Sequence, residues 1–151
     1  MKTGIILRLF IGLQMSVLFV ISSMAQIATP PSAGDGSASN PYQIENLENL
    51  YWLSQDTTLW EQNFVQIANI DASATETWDD GEGFSPIGNN DKEFSGAYNG
   101  GGNVIYDLTI NRGAVGNIGF FGRVNGGQID SVGLSNVNIT GAVNVGGLIG
   151  Y

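Results

Sequence analysis

Gly119-Phe120-Phe121-Gly122 returns 28 positions later as Gly147-Leu148-Ile149-Gly150, and this echo decides the fold. It is not isolated. Leu108-Thr109-Ile110-Asn111 returns as Val137-Asn138-Ile139-Thr140 after 29 positions, and Gly113-Ala114-Val115 as Gly141-Ala142-Val143 after 28. A looser echo sets residues 94–101 against residues 120–127 at a spacing of 26. A period of this length is the mark of stacked repeats. Within each unit apolar residues alternate, which reads as short strands: Val104, Tyr106, Leu108 and Ile110 in one, Val132, Leu134, Val137 and Ile139 in the next. Glycines punctuate them at sharp corners.

A unit this small cannot bury an apolar face alone. Stacked at the strand spacing of about 4.8 Å, every strand pairs with its equivalent above and below. Leu108 then lies over Val137, and Ile110 over Ile139. The expected fold is all-β, a right-handed parallel β-helix (β-solenoid) over residues 81–151, with handedness following the rule for parallel crossovers. A β-sandwich or a propeller blade is the competing reading of the same segment.

Upstream, the texture differs. Of the fourteen acidic residues, twelve fall in residues 26–93, against the single base Lys92. Residues 41–80 read as an N-terminal cap region. Asn46 is placed to cap a helix at about 46–55, with Leu47, Leu50, Tyr51 and Leu53 at helical spacing. A strand is expected at about 63–71. Residues 26–40, with Pro30-Pro31 and several Gly and Ser, read as a flexible linker.

Residues 1–25 read as a secretory signal peptide. Lys2 and Arg8 precede an apolar run from Leu9 to Ile21, and Ser23-Met24-Ala25 offers small residues before Gln26. The run is shorter than the roughly 20 residues that span a bilayer. Cleavage leaves no membrane span and takes the net charge from −9 to −11, since two bases and no acids are lost. The junction suits a bacterial secreted or cell-surface protein.

The chain has no Cys and no His. That excludes disulfides, thiolate chemistry, Ser-His-Asp catalysis and ordinary zinc sites. The acidic balance excludes a nucleic-acid partner, because no basic stripe neutralises phosphates.

With those residues on view, the chain resembles bacterial secreted proteins with GLUG-motif repeats. Gly147-Leu148-Ile149-Gly150 fits the Gly-Leu-x-Gly signature, and Gly119-Phe120-Phe121-Gly122 is a Phe variant of it. Asn40-Pro41-Tyr42-Gln43-Ile44, Trp78, Phe84-Ser85-Pro86-Ile87-Gly88 and Phe94-Ser95-Gly96 are similar to what precedes such repeats. The resemblance covers roughly residues 34–151. It implies a parallel β-helix in an adhesin-like protein, and carries no catalytic residues. Such proteins hold more repeats, so the sequence is expected to be truncated at its C-terminal side, with further repeats or modules of a longer polypeptide as neighbours.

Asp79, Asp80 and Glu82 surround Gly81 and form the candidate metal site, a calcium loop. Its spacing matches neither the EF-hand nor the nonapeptide calcium repeat, so a solvated acidic loop is the alternative. No other cofactor is expected. Trp52 lies off the apolar helix face and is a candidate exposed aromatic for a surface carbohydrate, and a protein ligand is equally open. Arg112 and Arg123 are expected to pair with Asp107 or Asp130. Asn138-Ile139-Thr140 matches the N-glycosylation triplet and also suits a plain strand. The function expected is non-enzymatic adhesion or interaction scaffolding. The alternative is a piece of a secreted enzyme, either a polysaccharide-active β-helix or the repeat region of a metallopeptidase.

Overall fold

The computed structural model describes residues 26–151, so the signal peptide read at 1–25 lies outside the described residues. The chain is built mainly from short strands: β1 (Tyr42–Ile44), β2 (Asn63–Gln66), β3 (Ile70–Asp71), β4 (Ala97–Asn99), β5 (Val104–Tyr106), β6 (Thr109–Arg112), β7 (Gln128–Asp130), β8 (Gly133–Ser135) and β9 (Asn138–Gly141). One α-helix, α1 (Leu47–Gln55), follows β1. Short 3-10 turns cover Thr57–Leu59 and Ser73–Gly81, the second broken by a kink at Trp78, Asp79 and Asp80.

All the pairings between these strands are parallel, and they form three sheets: β1-β2-β4-β7, β3-β5-β8 and β6-β9. The order β4, β5, β6 is met strand for strand by β7, β8, β9. Tyr98 faces Ile129, Ile105 faces Leu134, and Ile110 faces Ile139. The Ile110–Ile139 pair is the one read from the repeat. Phe121 bridges Ile149, again at the step read from the sequence.

The looser spacing of 26 is not the register. Phe94 bridges Val124, and Ala97 pairs with Gln128. Phe121 instead has Ile87 on its other side. The true predecessor of Gly119-Phe120-Phe121-Gly122 is thus Ser85-Pro86-Ile87-Gly88. The turn at 89–93 lengthens that unit and hides the match.

Two strand expectations also need correction. The segment 63–71 is two strands in different sheets, broken over residues 67–69. Gln66 turns its side chain inward at the break, where its Nε2 donates to Ala68 O at 2.8 Å. Strict alternation through Val104, Tyr106, Leu108 and Ile110 fails as well. Ile105 is fully buried and Tyr106 points out, yet Leu108 and Ile110 are both fully buried. Asp107 sits at φ +57° between β5 and β6, and this left-handed corner resets the phase. Asn136, at φ +54°, does the same one unit later.

Residues 26–40 are packed rather than a free linker. Ala33 O accepts from Gln43 N at 3.0 Å, and Gly36 O accepts from Asn63 N at 3.0 Å. Gly34, at φ +92°, lies so close to the next strand that a Cβ there would fall 2.1 Å from Pro41 O. The turn residues fold the segment against β1 and β2, and that backbone pairing removes its freedom.

α1 begins where Asn46 Oδ1 accepts from Asn49 N at 3.0 Å, satisfying an otherwise unpaired first-turn amide. Leu50 and Leu53 are fully buried and Leu47 packs on the core edge. Trp60 Nε1 donates to Leu53 O at 2.9 Å, tying the chain after the helix back to it.

The core is aromatic at its centre. Phe120 and Phe121 meet edge-on at 4.8 Å, Phe94 and Phe121 lie 5.0 Å apart, and Phe84 stacks on Phe120 at 5.8 Å. All four rings are fully buried. With no disulfide available, this packing and the parallel ladders hold the chain. Tyr98 is buried among the rings, and burial pushes its phenol above its ordinary value of 10.0. Its hydroxyl keeps one partner, Gln66 Oε1 at 3.2 Å.

Candidate functional site

The loop Asp79-Asp80-Gly81-Glu82 is a tight corner. Asp79 and Asp80 have φ of +48° and +55°, and Gly81 follows at +92°. Three successive left-handed residues aim the carboxylates outward, and Asp79, Asp80 and Glu82 are all exposed. A cation already stands beside two of them, Arg112 of β6. Its Nη1 donates to Glu82 Oε2 at 2.8 Å, and its Nη2 lies 3.4 Å from Asp79 Oδ2. The same guanidinium reaches Ser85 Oγ at 3.1 Å and Gly83 O at 3.3 Å. Asp80 is not part of this set. Among the described residues, no group of three or more His, Cys, Asp or Glu is arranged to hold a metal ion.

Arg112 does not pair with Asp107 or Asp130 as expected, and neither does Arg123. Arg123 Nη2 donates to Glu93 Oε1 at 2.6 Å, and its guanidinium lies 4.5 Å over the Tyr151 ring. Both arginines reach back about one unit, not along their own strand. In a parallel stack the spatial neighbour of a residue is one repeat away, so pairing by sequence proximity fails. Glu93 is held below its ordinary value of 4.5, first by the Asn125 amide and then by Arg123. Asp107 is engaged by the Asn136 side-chain amide from the next unit.

A second line of side chains went unread in the sequence. Asn117 Nδ2 donates to Asn90 Oδ1 at 2.9 Å, and Asn144 Nδ2 donates to Asn117 Oδ1 at 2.8 Å. Each step is 27 residues. Asn117 and Asn144 both occupy the left-handed region, at φ +59° and +52°, which asparagine tolerates better than other side chains. Their signal was present. They follow the two copies of Gly-Ala-Val, but at a step one shorter than that echo, and the slip conceals them.

Beside the ladder lies a shallow cleft of about 210 Å³, lined by Ser85, Asn89, Asn90, Arg112, Val115 and Asn117. Its polar groups largely bond one another, so it presents amide and guanidinium edges already in use. Trp52 is half-buried, edge-on to Tyr42 at 5.2 Å, and so is part of the packed cap, not a free aromatic platform. Tyr106, 38% exposed on β5, is the more open ring. Asn138 and Thr140 of the glycosylation triplet both point outward on β9, with Ile139 turned in.

No family model matches the chain, and no solved structure matches it. Among curated proteins, Halomucin from Haloquadratum walsbyi is 36% identical to it over 119 residues. The match takes in 75% of this chain and 1% of Halomucin, so the chain spans a very small part of that protein's length. That organism is an archaeon, so the similarity does not carry the bacterial origin read from residues 1–25. Among the described residues, no helix is long and apolar enough to cross a membrane.

Proposed function

We propose that this chain is a non-enzymatic, secreted or cell-surface repeat segment, folded as a right-handed parallel β-solenoid of the GLUG type and used as an adhesive or scaffolding module. The observation that carries this reading is the strand-for-strand register. β4, β5 and β6 pair in parallel with β7, β8 and β9 in the same order. A chain that returns to each strand about one repeat later traces a coil of stacked rungs. Three things support a structural role. The chain has no His or Cys for catalysis. Its clustered carboxylates are tied to Arg112 and Arg123. It is similar to Halomucin, a protein named as a mucin. Export rests on the leader at 1–25.

The test is to express the full chain with a C-terminal tag, fractionate the culture, and sequence the N-terminus of the product. This reading expects material outside the cytoplasm that begins at Gln26. Product retained inside the cell with Met1 in place contradicts it.

A further inference from the structure

We infer that the groove around the turn 89–93 is a binding site for a neutral glycan, held by the side-chain amides of Asn89 and Asn90. The inference deepens the adhesive reading above and rests on it.

Two clefts make the groove. The first is the cleft of about 210 Å³ beside the asparagine ladder, between residues 85–90 and residues 112–118. The second, of about 430 Å³, is lined by Lys92, Glu93, Ser95 and Asn125. Asn90 lines both, so the two meet there. Each is built from segments about one repeat apart, and no residue after Asn125 lines either.

The bonds inside the first cleft consume oxygens and leave amide hydrogens. Asn89 Oδ1 accepts from Asp91 N at 2.9 Å and from Lys92 N at 3.0 Å. Asn90 Oδ1 accepts from Asn117 Nδ2 at 2.9 Å and from Arg123 Nη1 at 3.4 Å. Each amide is held at its oxygen by two donors. Neither Nδ2 has a partner among the described residues, although both side chains are exposed. Ser85 Oγ accepts from Arg112 Nη2 at 3.1 Å, which leaves its O–H to donate. The fold thus presents donors whose orientation is already fixed, and a ligand that meets them orders little more. In the second cleft the sense reverses. Asn125 spends its Nδ2 on Glu93 Oε2 at 2.6 Å, and its Oδ1 remains an acceptor. A ligand that accepts in one cleft and donates in the other fits both, and a hydroxyl does either.

Charge selects among such ligands. The three bases of the described residues are already paired, Lys92 with Glu61, Arg112 with Asp79 and Glu82, and Arg123 with Glu93. No spare cation is left for a carboxylate or phosphate. Asp91 stands exposed in the second cleft, and the chain is acidic throughout, so an anion is repelled. A metal cation finds N–H groups where it needs oxygens. An extended peptide needs a strand edge, whereas the turn 89–93 forms this wall. A neutral sugar meets the donors with its hydroxyls and lays its C–H face on Pro86 and Val115, the latter 48% exposed.

The experiment titrates the full chain with maltotriose, cellotriose, mannotriose and chitotriose at millimolar concentration, with trigalacturonate as the acidic counterpart. Nitrogen-15 NMR follows the side-chain amides. The inference expects at least one neutral trisaccharide to shift the Asn89 and Asn90 amide signals, and trigalacturonate to leave them in place. Asn89→Asp and Asn90→Asp keep an oxygen where the neighbours donate and remove only the amide hydrogens. Each should weaken that binding by about tenfold. Urea midpoints should stay at the wild-type value, a result that a purely structural role for these amides does not combine with lost binding. A dispersed spectrum that no neutral sugar shifts, equal binding of trigalacturonate, or wild-type binding by both variants overturns the glycan site and leaves the scaffolding reading standing. Shortened sugars in the sample would instead overturn the non-enzymatic reading on which the site rests.

Discussion

Asn144 donates its side-chain amide to Asn117 Oδ1 at 2.8 Å across 27 residues of chain. Asn117 passes the pattern on to Asn90, so it is both donor and acceptor at a left-handed corner. Two costs can be separated at this position. Asn117→Gly keeps the backbone free to turn and loses the ladder bonds, worth about 0.5–1.5 kcal/mol each when fully made. Asn117→Ala loses the same bonds and keeps a Cβ in the left-handed region without the polar side chain that makes asparagine tolerable there, which should place it about 1–2 kcal/mol below Asn117→Gly. Urea denaturation should rank wild type above Gly and Gly above Ala. Equal midpoints for all three would show that the ladder and its corner contribute nothing.

Glycine positions divide by what surrounds them. Gly88 has φ +80°, and a Cβ there would lie 2.1 Å from Arg123 O of the neighbouring unit. Gly126 has φ +73° with open space around it. Gly88→Ala should cost about 2–5 kcal/mol, strain plus overpacking. Gly126→Ala should cost about 1–2 kcal/mol, from the backbone alone. Thermal melts of the two variants measure the difference, and equal losses would mean that the units are not in the close contact described.

The aromatic centre makes a graded prediction. Phe121 is fully buried between Ile87 and Ile149, whereas Ile149 is 39% exposed. Phe121→Ala should destabilise by about 3–5 kcal/mol. Ile149→Ala, at a half-covered site, should cost about 1 kcal/mol. Chemical denaturation of both variants reads this directly.

Acid should weaken the fold through particular carboxylates. Glu93 and Glu61 are held below their ordinary 4.5, Glu93 by Asn125 and Arg123 and Glu61 by Lys92. Asp35 and Asp71 are held below 3.8 by hydrogen bonds from Ser37 and Ser73. A depressed folded value means the unfolded chain binds protons first. This contribution is complete above pH 4.5 and is lost as pH falls through the lowered values. Melting temperature should therefore be flat on this account from pH 7 to 5 and fall below about 4.5, and Glu93→Gln should flatten part of the acid limb. An unchanged limb in that variant would remove Glu93 from the account.

The sequence made the repeat legible because apolar and glycine positions recur at nearly one step, and the Ile110–Ile139 and Phe121–Ile149 registers follow from it. The Asn46 cap and the helix after it were legible for local reasons, a capping side chain followed by helical spacing. What stayed hidden was set by neighbours one unit away. Arg112 finds Asp79 and Glu82, and Arg123 finds Glu93, because stacking brings distant residues together. Asp107 and Asn136 reverse the strand phase through a left-handed turn that alternation alone does not reveal. The guanidinium beside Asp79 and Glu82 is equally invisible in the order of residues, because Arg112 comes to them from about 30 positions away.

The central claim is the parallel register, and engineered cysteines test it without background because the chain has none. Asn111 pairs with Thr140, and Thr109 with Asn138. Paired Cα atoms at the parallel spacing of about 4.8 Å lie within disulfide range, and a slip of two residues moves them outside it. Asn111→Cys with Thr140→Cys should oxidise to an intramolecular disulfide, read by mass spectrometry, while Asn111→Cys with Asn138→Cys should stay reduced. Closure of the second pair in preference to the first, or of neither, would contradict the stacked-rung account.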